Sequence, residues 1–136
     1  MNSIDHDRIG RADLYRQNIL DHNRSPRNKR RMDNATISQR EVNMSCGDDV
    51  EIFVRIEDDR ITDLSFDGVG CAISQAATSM LTEKAKGLTT TEVLTLGRGF
   101  IFELLGVEVG PARLKCALLG LETLKKALQD ISEKKQ

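Results

Sequence analysis

The chain has 136 residues, enough for one domain around one core, and its net charge of −1 argues against a general nucleic-acid partner. Apolar residues make up 39%, but with no Trp, one Tyr and four Phe the core must be mainly aliphatic. No apolar run approaches the roughly 20 residues of a membrane span, and the acidic start over residues 1–7 does not read as a secretory signal, so a cytoplasmic protein with reduced thiols is expected.

In chain order, residues 1–11 read as a flexible N-terminus, 12–132 as a single domain and 133–136 as a solvated tail. Residues 13–21 read as a helix whose apolar contacts are Leu14, Ile19 and Leu20. His22-Asn23-Arg24-Ser25-Pro26 ends it, because the residue before a proline is pushed out of helical angles. Residues 24–31 carry five positive charges and no acid, and read either as a solvated loop or as a docking patch for an acidic protein surface. Residues 35–44, 50–57 and 61–66 read as three strands. Ile52, Val54 and Ile56 alternate with Phe53, Arg55 and Glu57, the period of two expected of a strand. Asp58-Asp59 is a tight turn that makes strands two and three an antiparallel hairpin.

Gly68-Val69-Gly70 turns the chain into a helix over 71–86, rich in small residues and closed by Gly87. Thr89 and Glu92 offer a capping box for a helix to about residue 105, which Gly97 and Gly99 threaten to break in two. Pro111 suits the start of a last helix over 111–132, with Leu114, Leu118, Leu121 and Leu128 on its apolar face. The predicted fold class is α+β: a small three-stranded antiparallel sheet covered by helices.

Cys46, Cys71 and Cys116 are all the cysteines, and three is an odd number for disulfides. Cysteines are often small hydrophobes in a core. Here Cys46 sits in a polar turn, Ser45-Cys46-Gly47-Asp48-Asp49, where Gly47 lets thiol and carboxylate point at one spot. Cys71 and Cys116 each fall at a predicted helix N-terminus, where the dipole favours the thiolate, and Arg113 and Lys115 add positive charge beside Cys116. Three thiolates and Asp48 would make a four-coordinate zinc site, although the separations of 25 and 45 residues match no zinc-finger pattern. Asp48 reads equally as a turn former or strand cap, and His22 as a helix C-terminal cap.

These residues also resemble a known family. Residues 14–22 (Leu-Tyr-Arg-Gln-Asn-Ile-Leu-Asp-His) with Pro26-Arg27-Asn28, then Ser45-Cys46-Gly47-Asp48, Gly68-Val69-Gly70-Cys71-Ala72 and Pro111-Ala112-Arg113-Leu114-Lys115-Cys116, resemble the signatures of the SufU/IscU (NifU N-terminal-like) proteins of iron–sulfur cluster assembly. The resemblance spans about residues 12–130. It leans towards SufU, because Lys115 stands where IscU proteins carry a histidine and residues 109–113 do not match their Leu-Pro-Pro-Val-Lys stretch. The stretch from Cys71 to Cys116 nevertheless has IscU-like length, without the insertion of SufU proteins, and Asn43-Met44 replaces the usual Asn-Pro.

The resemblance implies a site made of Cys46, Asp48, Cys71 and Cys116. It implies a protein that accepts persulfide sulfur from a cysteine desulfurase at a zinc–thiolate site and passes it to a downstream scaffold or apo-protein; the glycine turn at Cys46 and Lys115 beside Cys116 make these two cysteines the candidate acceptors. Two alternatives stay open: a scaffold holding iron or a [2Fe–2S] cluster on the same residues, and a zinc-stabilised activator of the desulfurase without chemistry of its own. The face expected to meet the desulfurase carries His22, Arg24, Arg27, Lys29, Arg30 and Lys115.

Overall fold

Alternating apolar residues along one hairpin create a face that the helices then bury. A computed structural model describes the backbone of residues 3–134 and the side chains of 13–131. The elements in order are α1 Ser3–Arg24, β1 Ile37–Asn43, β2 Asp48–Glu57, β3 Arg60–Val69, α2 Ala72–Ala85, α3 Thr90–Leu94, α4 Arg98–Leu105 and α5 Pro111–Lys134. The three strands form one antiparallel sheet in the order β1-β2-β3, so the expected α+β class holds. Asp58 and Asp59 both take positive φ, 53° and 60°, the two-residue turn whose twist matches that of its strands.

Ile52 stands opposite Phe66 and Val54 opposite Leu64, and none of the four is exposed. Helix α2 packs over β3, α5 over β1 and β2, and α1 against α2. Ala76, Ala77 and Ser79 are buried on α2, and such small side chains let helices approach closely. Leu81 and Leu124 complete the aliphatic core between α2 and α5. The segment after α1 runs along the far edge of β3, where Phe66 N donates to Asn28 O at 3.0 Å and Arg30 N to Phe66 O at 2.9 Å. Arg31 then crosses the outer face of the sheet, 5.0 Å above the Phe53 ring.

The predicted capping box is present, with Glu92 N donating to Thr89 Oγ1 and Thr89 N to Glu92 Oε1, each at 3.1 Å. The helix it starts ends at Leu94 and Gly97 caps a separate α4, so the run is broken in two at Gly97, while Gly99 is taken up inside α4. Other boundaries shift. Helix α1 begins at Ser3, inside the stretch expected to be flexible. Strand β2 begins at Asp48, two residues earlier than expected, because Asn43 and Asp48 already pair across the hairpin. Strand β3 extends to Val69, which pairs with Asp49. Helix α5 runs to Lys134, two residues into the expected tail. Residues 1–2 and 135–136, the ends of the expected flexible N-terminus and tail, lie outside the described residues. Among the described residues, no helix is long and apolar enough to cross a membrane.

Candidate metal and thiol centre

The turn between β1 and β2 is built on Asn43. Its carbonyl oxygen accepts from Cys46 N at 3.3 Å, and its side-chain Oδ1 accepts from Ser45 N at 3.2 Å. Gly47 then takes a φ of +70°, a left-handed conformation that a side chain would resist. The result is an exposed Cys46 directly above Asp48, the first residue of β2, whose side chain is fully buried.

Asp48 joins the turn to helix α2. Its Oδ1 accepts the backbone N–H of Cys71 at 2.9 Å. The approach is so close that a Cβ on Gly70 would lie 2.5 Å from that oxygen, so a side chain there would have to push the carboxylate aside. Cys71 is the N-cap of α2, and its Sγ accepts from Ser74 N at 3.4 Å. The other Asp48 oxygen, Oδ2, is buried and has no hydrogen-bond partner among the described residues.

Cys116 comes from α5 and is 2% exposed. One ligand atom each from Cys46, Asp48 and Cys116 lie within 4.8 Å of one another. An orphaned carboxylate oxygen in this group fits a metal, since a buried acceptor without a partner is otherwise costly, and two sulfurs with one oxygen suit zinc or iron. Cys71 falls outside this tight group; its sulfur caps α2.

Two expectations about the cysteines need correction. Cys116 is the sixth residue of α5, in its second turn and past the free N–H groups at the helix start. Burial, not the dipole, dominates there: it pushes the Cys116 thiol well above its ordinary range, and the Asp48 and Cys46 side chains and nearby Cys71 add to the effect. Lys115 and Arg113 are exposed, so they do not turn that balance. Without a metal, Cys116 is therefore a thiol rather than a thiolate.

The expected docking residues also separate. His22 is 4% exposed, which removes it from any docking face. Its Nδ1 lies 2.7 Å from Ser79 Oγ and its Nε2 3.4 Å from Glu83 Oε1, so the ring ties α1 to α2. Arg27 pairs with Asp21 at 2.5 Å, Lys29 donates to Gln75 Oε1 at 2.9 Å, and Arg30 reaches both oxygens of Asp63 at 2.8 and 2.9 Å. The positive charge of the loop is thus largely answered within the molecule, while Arg24 and Lys115 remain exposed. Asn43 joins the site residues although it is neither thiol, carboxylate nor cation. Its signal is the spacing of an Asx turn, in which an Asn side chain accepts the backbone N–H two residues on.

Residues 14–136 match the NifU-like N terminal domain. A Thermotoga maritima protein named iron-sulfur cluster assembly scaffold protein IscU is 33% identical over 135 residues, covering 88% of this chain and 95% of its own. A Bacillus subtilis protein named zinc-dependent sulfurtransferase SufU is 33% identical over 132 residues, covering 85% of this chain and 89% of its own. A crystal structure from Fervidobacterium islandicum AW-1, of a proposed iron-sulfur cluster assembly scaffold protein for the SUF system, superposes with a TM-score of 0.73 at 30% identity, over 82% of this chain and 93% of that one.

Proposed function

The chain belongs to the NifU-like N-terminal domain family, and from that premise we propose that it serves iron–sulfur cluster assembly by carrying sulfur at Cys46. The observation that carries this reading is one exposed thiol within 4.8 Å of a buried carboxylate and a buried thiol. Cys46, Asp48 and Cys116 would hold a zinc ion, with Cys71 adjacent as a fourth donor. Bound zinc would keep these sulfurs as thiolates at neutral pH.

The partner is a cysteine desulfurase bearing a persulfide. Cys46 sulfur attacks the outer sulfur of that persulfide. A sulfur–sulfur bond forms on Cys46, the one on the desulfurase breaks, and the desulfurase cysteine leaves as a thiol. Cys46 suits this attack because it is exposed on a glycine turn, whereas Cys116 is buried and Cys71 is held as a helix cap. Of the cations expected on the docking face, Arg24 and Lys115 are left to steer an acidic partner. Scaffolding is the second reading, favoured by the carboxylate: an oxygen ligand among thiolates holds a cluster less firmly, which suits a cargo that is passed on.

The test is a single-turnover reaction of the zinc-loaded protein with a cysteine desulfurase, followed by mass-spectrometric mapping of the persulfide. The label is expected on Cys46, and Cys46→Ala should accept at least tenfold less sulfur, on the order of the 1.4 kcal/mol that a tenfold ratio represents. Undiminished sulfur acceptance by Cys46→Ala would overturn the carrier reading.

A further inference from the structure

Asn43 carries two features that holding a turn does not jointly explain. Its Oδ1 must be the acceptor, because Ser45 N–H donates to it at 3.2 Å; the other end of the amide is therefore the NH2 group. That group, Nδ2, is buried and has no hydrogen-bond partner among the described residues. Asn43 is also the register partner of Asp48, so both side chains stand on the same face of the sheet, at the end closed by Cys46. A buried donor and a buried acceptor, both unmet among the described residues, thus stand on paired residues, and the exposed Cys46 thiol lies within 4.8 Å of an Asp48 oxygen. Asp48 Oδ2 suits a metal. An NH2 group cannot ligate a metal and needs an acceptor.

We propose that Asn43 is a positioning residue whose Nδ2–H donates a hydrogen bond to the outer sulfur of a persulfide carried on Cys46. The proposal rests on the sulfur-carrier reading and adds a residue to it. Sulfur bearing negative charge accepts N–H donors, and bonds to charged groups are stronger than neutral ones. The donor would hold the delivered sulfur over the Asp48 end of the sheet, in place for transfer and less open to external thiols. The main-chain and Oδ1 bonds of the same residue fix the turn, so one side chain sets both where Cys46 stands and how its sulfur points.

The experiment loads the zinc-bound protein directly with inorganic polysulfide, so that it does not depend on a desulfurase. Cys46 thiolate takes one sulfur atom to give a persulfide anion, and a polysulfide dianion one sulfur shorter leaves. Mass spectrometry follows the loss of the Cys46 persulfide to added dithiothreitol, and alkylation of unloaded Cys46 is timed in parallel. Asn43→Asp keeps the acceptor for Ser45 N and adds a charge, whereas Asn43→Ala loses that acceptor and adds none; what the two share is loss of the Nδ2 donor. Both should lose the persulfide roughly tenfold faster than the parent, with alkylation of the bare thiol changed far less. A wild-type persulfide lifetime in either variant overturns the proposal, as does a parallel change in alkylation, which would mark a loosened turn. If Asn43→Ala fails to fold, Asn43→Asp decides by the same two rates. Failure of the carrier reading looks different: the parent protein would hold chemically loaded sulfur normally but accept none from a desulfurase.

Discussion

Asp48 uses its two oxygens for different ends. Oδ1 holds the Cys71 backbone N–H at the start of α2, and Oδ2 is left for the site. Asn at this position would keep an oxygen for Cys71 N, whereas Ala would leave that N–H unmet. In metal-free protein, Asp48→Ala should therefore lose about 1–3 kcal/mol of stability and Asp48→Asn much less. Denaturant unfolding of the two variants checks this, and equal losses would show that the bond contributes nothing. Both should bind zinc more weakly, since neither offers a carboxylate. At this scale the sequence is informative where the chemistry is local: Ser45-Cys46-Gly47-Asp48 announces a turn with a thiol and a carboxylate together. It is silent on Cys71 N meeting Asp48 across 23 positions, and on Asn43 Nδ2, because these depend on which strand ends lie beside which helix.

Among the elements, the contact between α1 and α2 is set by His22, and it was the part least legible beforehand. A histidine near a helix C-terminus reads as an exposed cap, and only the packing of α1 on α2 shows that its ring is buried. The break after Leu94 and the turn at Asp58-Asp59 are legible because glycine and aspartate act through their own backbone. Burial holds the His22 pKa below its ordinary 6.5, and Arg27 lowers it further; Glu83 and Asp21 oppose this without prevailing. The unfolded chain therefore takes up this proton first as pH falls. The stability from a neutral His22 is complete above about pH 6.5 and is lost as pH falls through the folded-state value. His22→Gln, which does not titrate, should flatten the fall in melting temperature from about pH 6.5 towards pH 5. The carboxylates held low by partners, such as Asp63 beside Arg30, act below that window and should leave it unchanged. An identical slope in the variant would remove His22 as its cause.

For the whole molecule, the site is a clasp at one end and the aliphatic core fills the rest. Cys46 and Asp48 come from the β1–β2 hairpin, Cys71 from the start of α2 and Cys116 from α5, so a bound metal would tie together elements far apart in sequence. The core residues Ile52, Val54, Leu64, Phe66, Leu81 and Leu124 have no exposure and need no metal to pack. Removing metal should therefore lower stability without unfolding the domain. A ligand at a hundredfold its dissociation constant adds about 2.7 kcal/mol, which for a chain of this length is on the order of 10 °C in melting temperature. Hydrogen exchange locates the loss. Protection should fall at residues 43–48, at the first turn of α2 and over the first two turns of α5, because those segments converge on the site. Amides of β2 and β3 beyond Ile52 and Phe66, and of α2 past Ala76, should keep theirs, since they belong to the core. Global unfolding on chelation would mean that the core cannot stand alone and that the metal is a structural keystone. Unchanged protection at all three segments would mean that they do not share a metal.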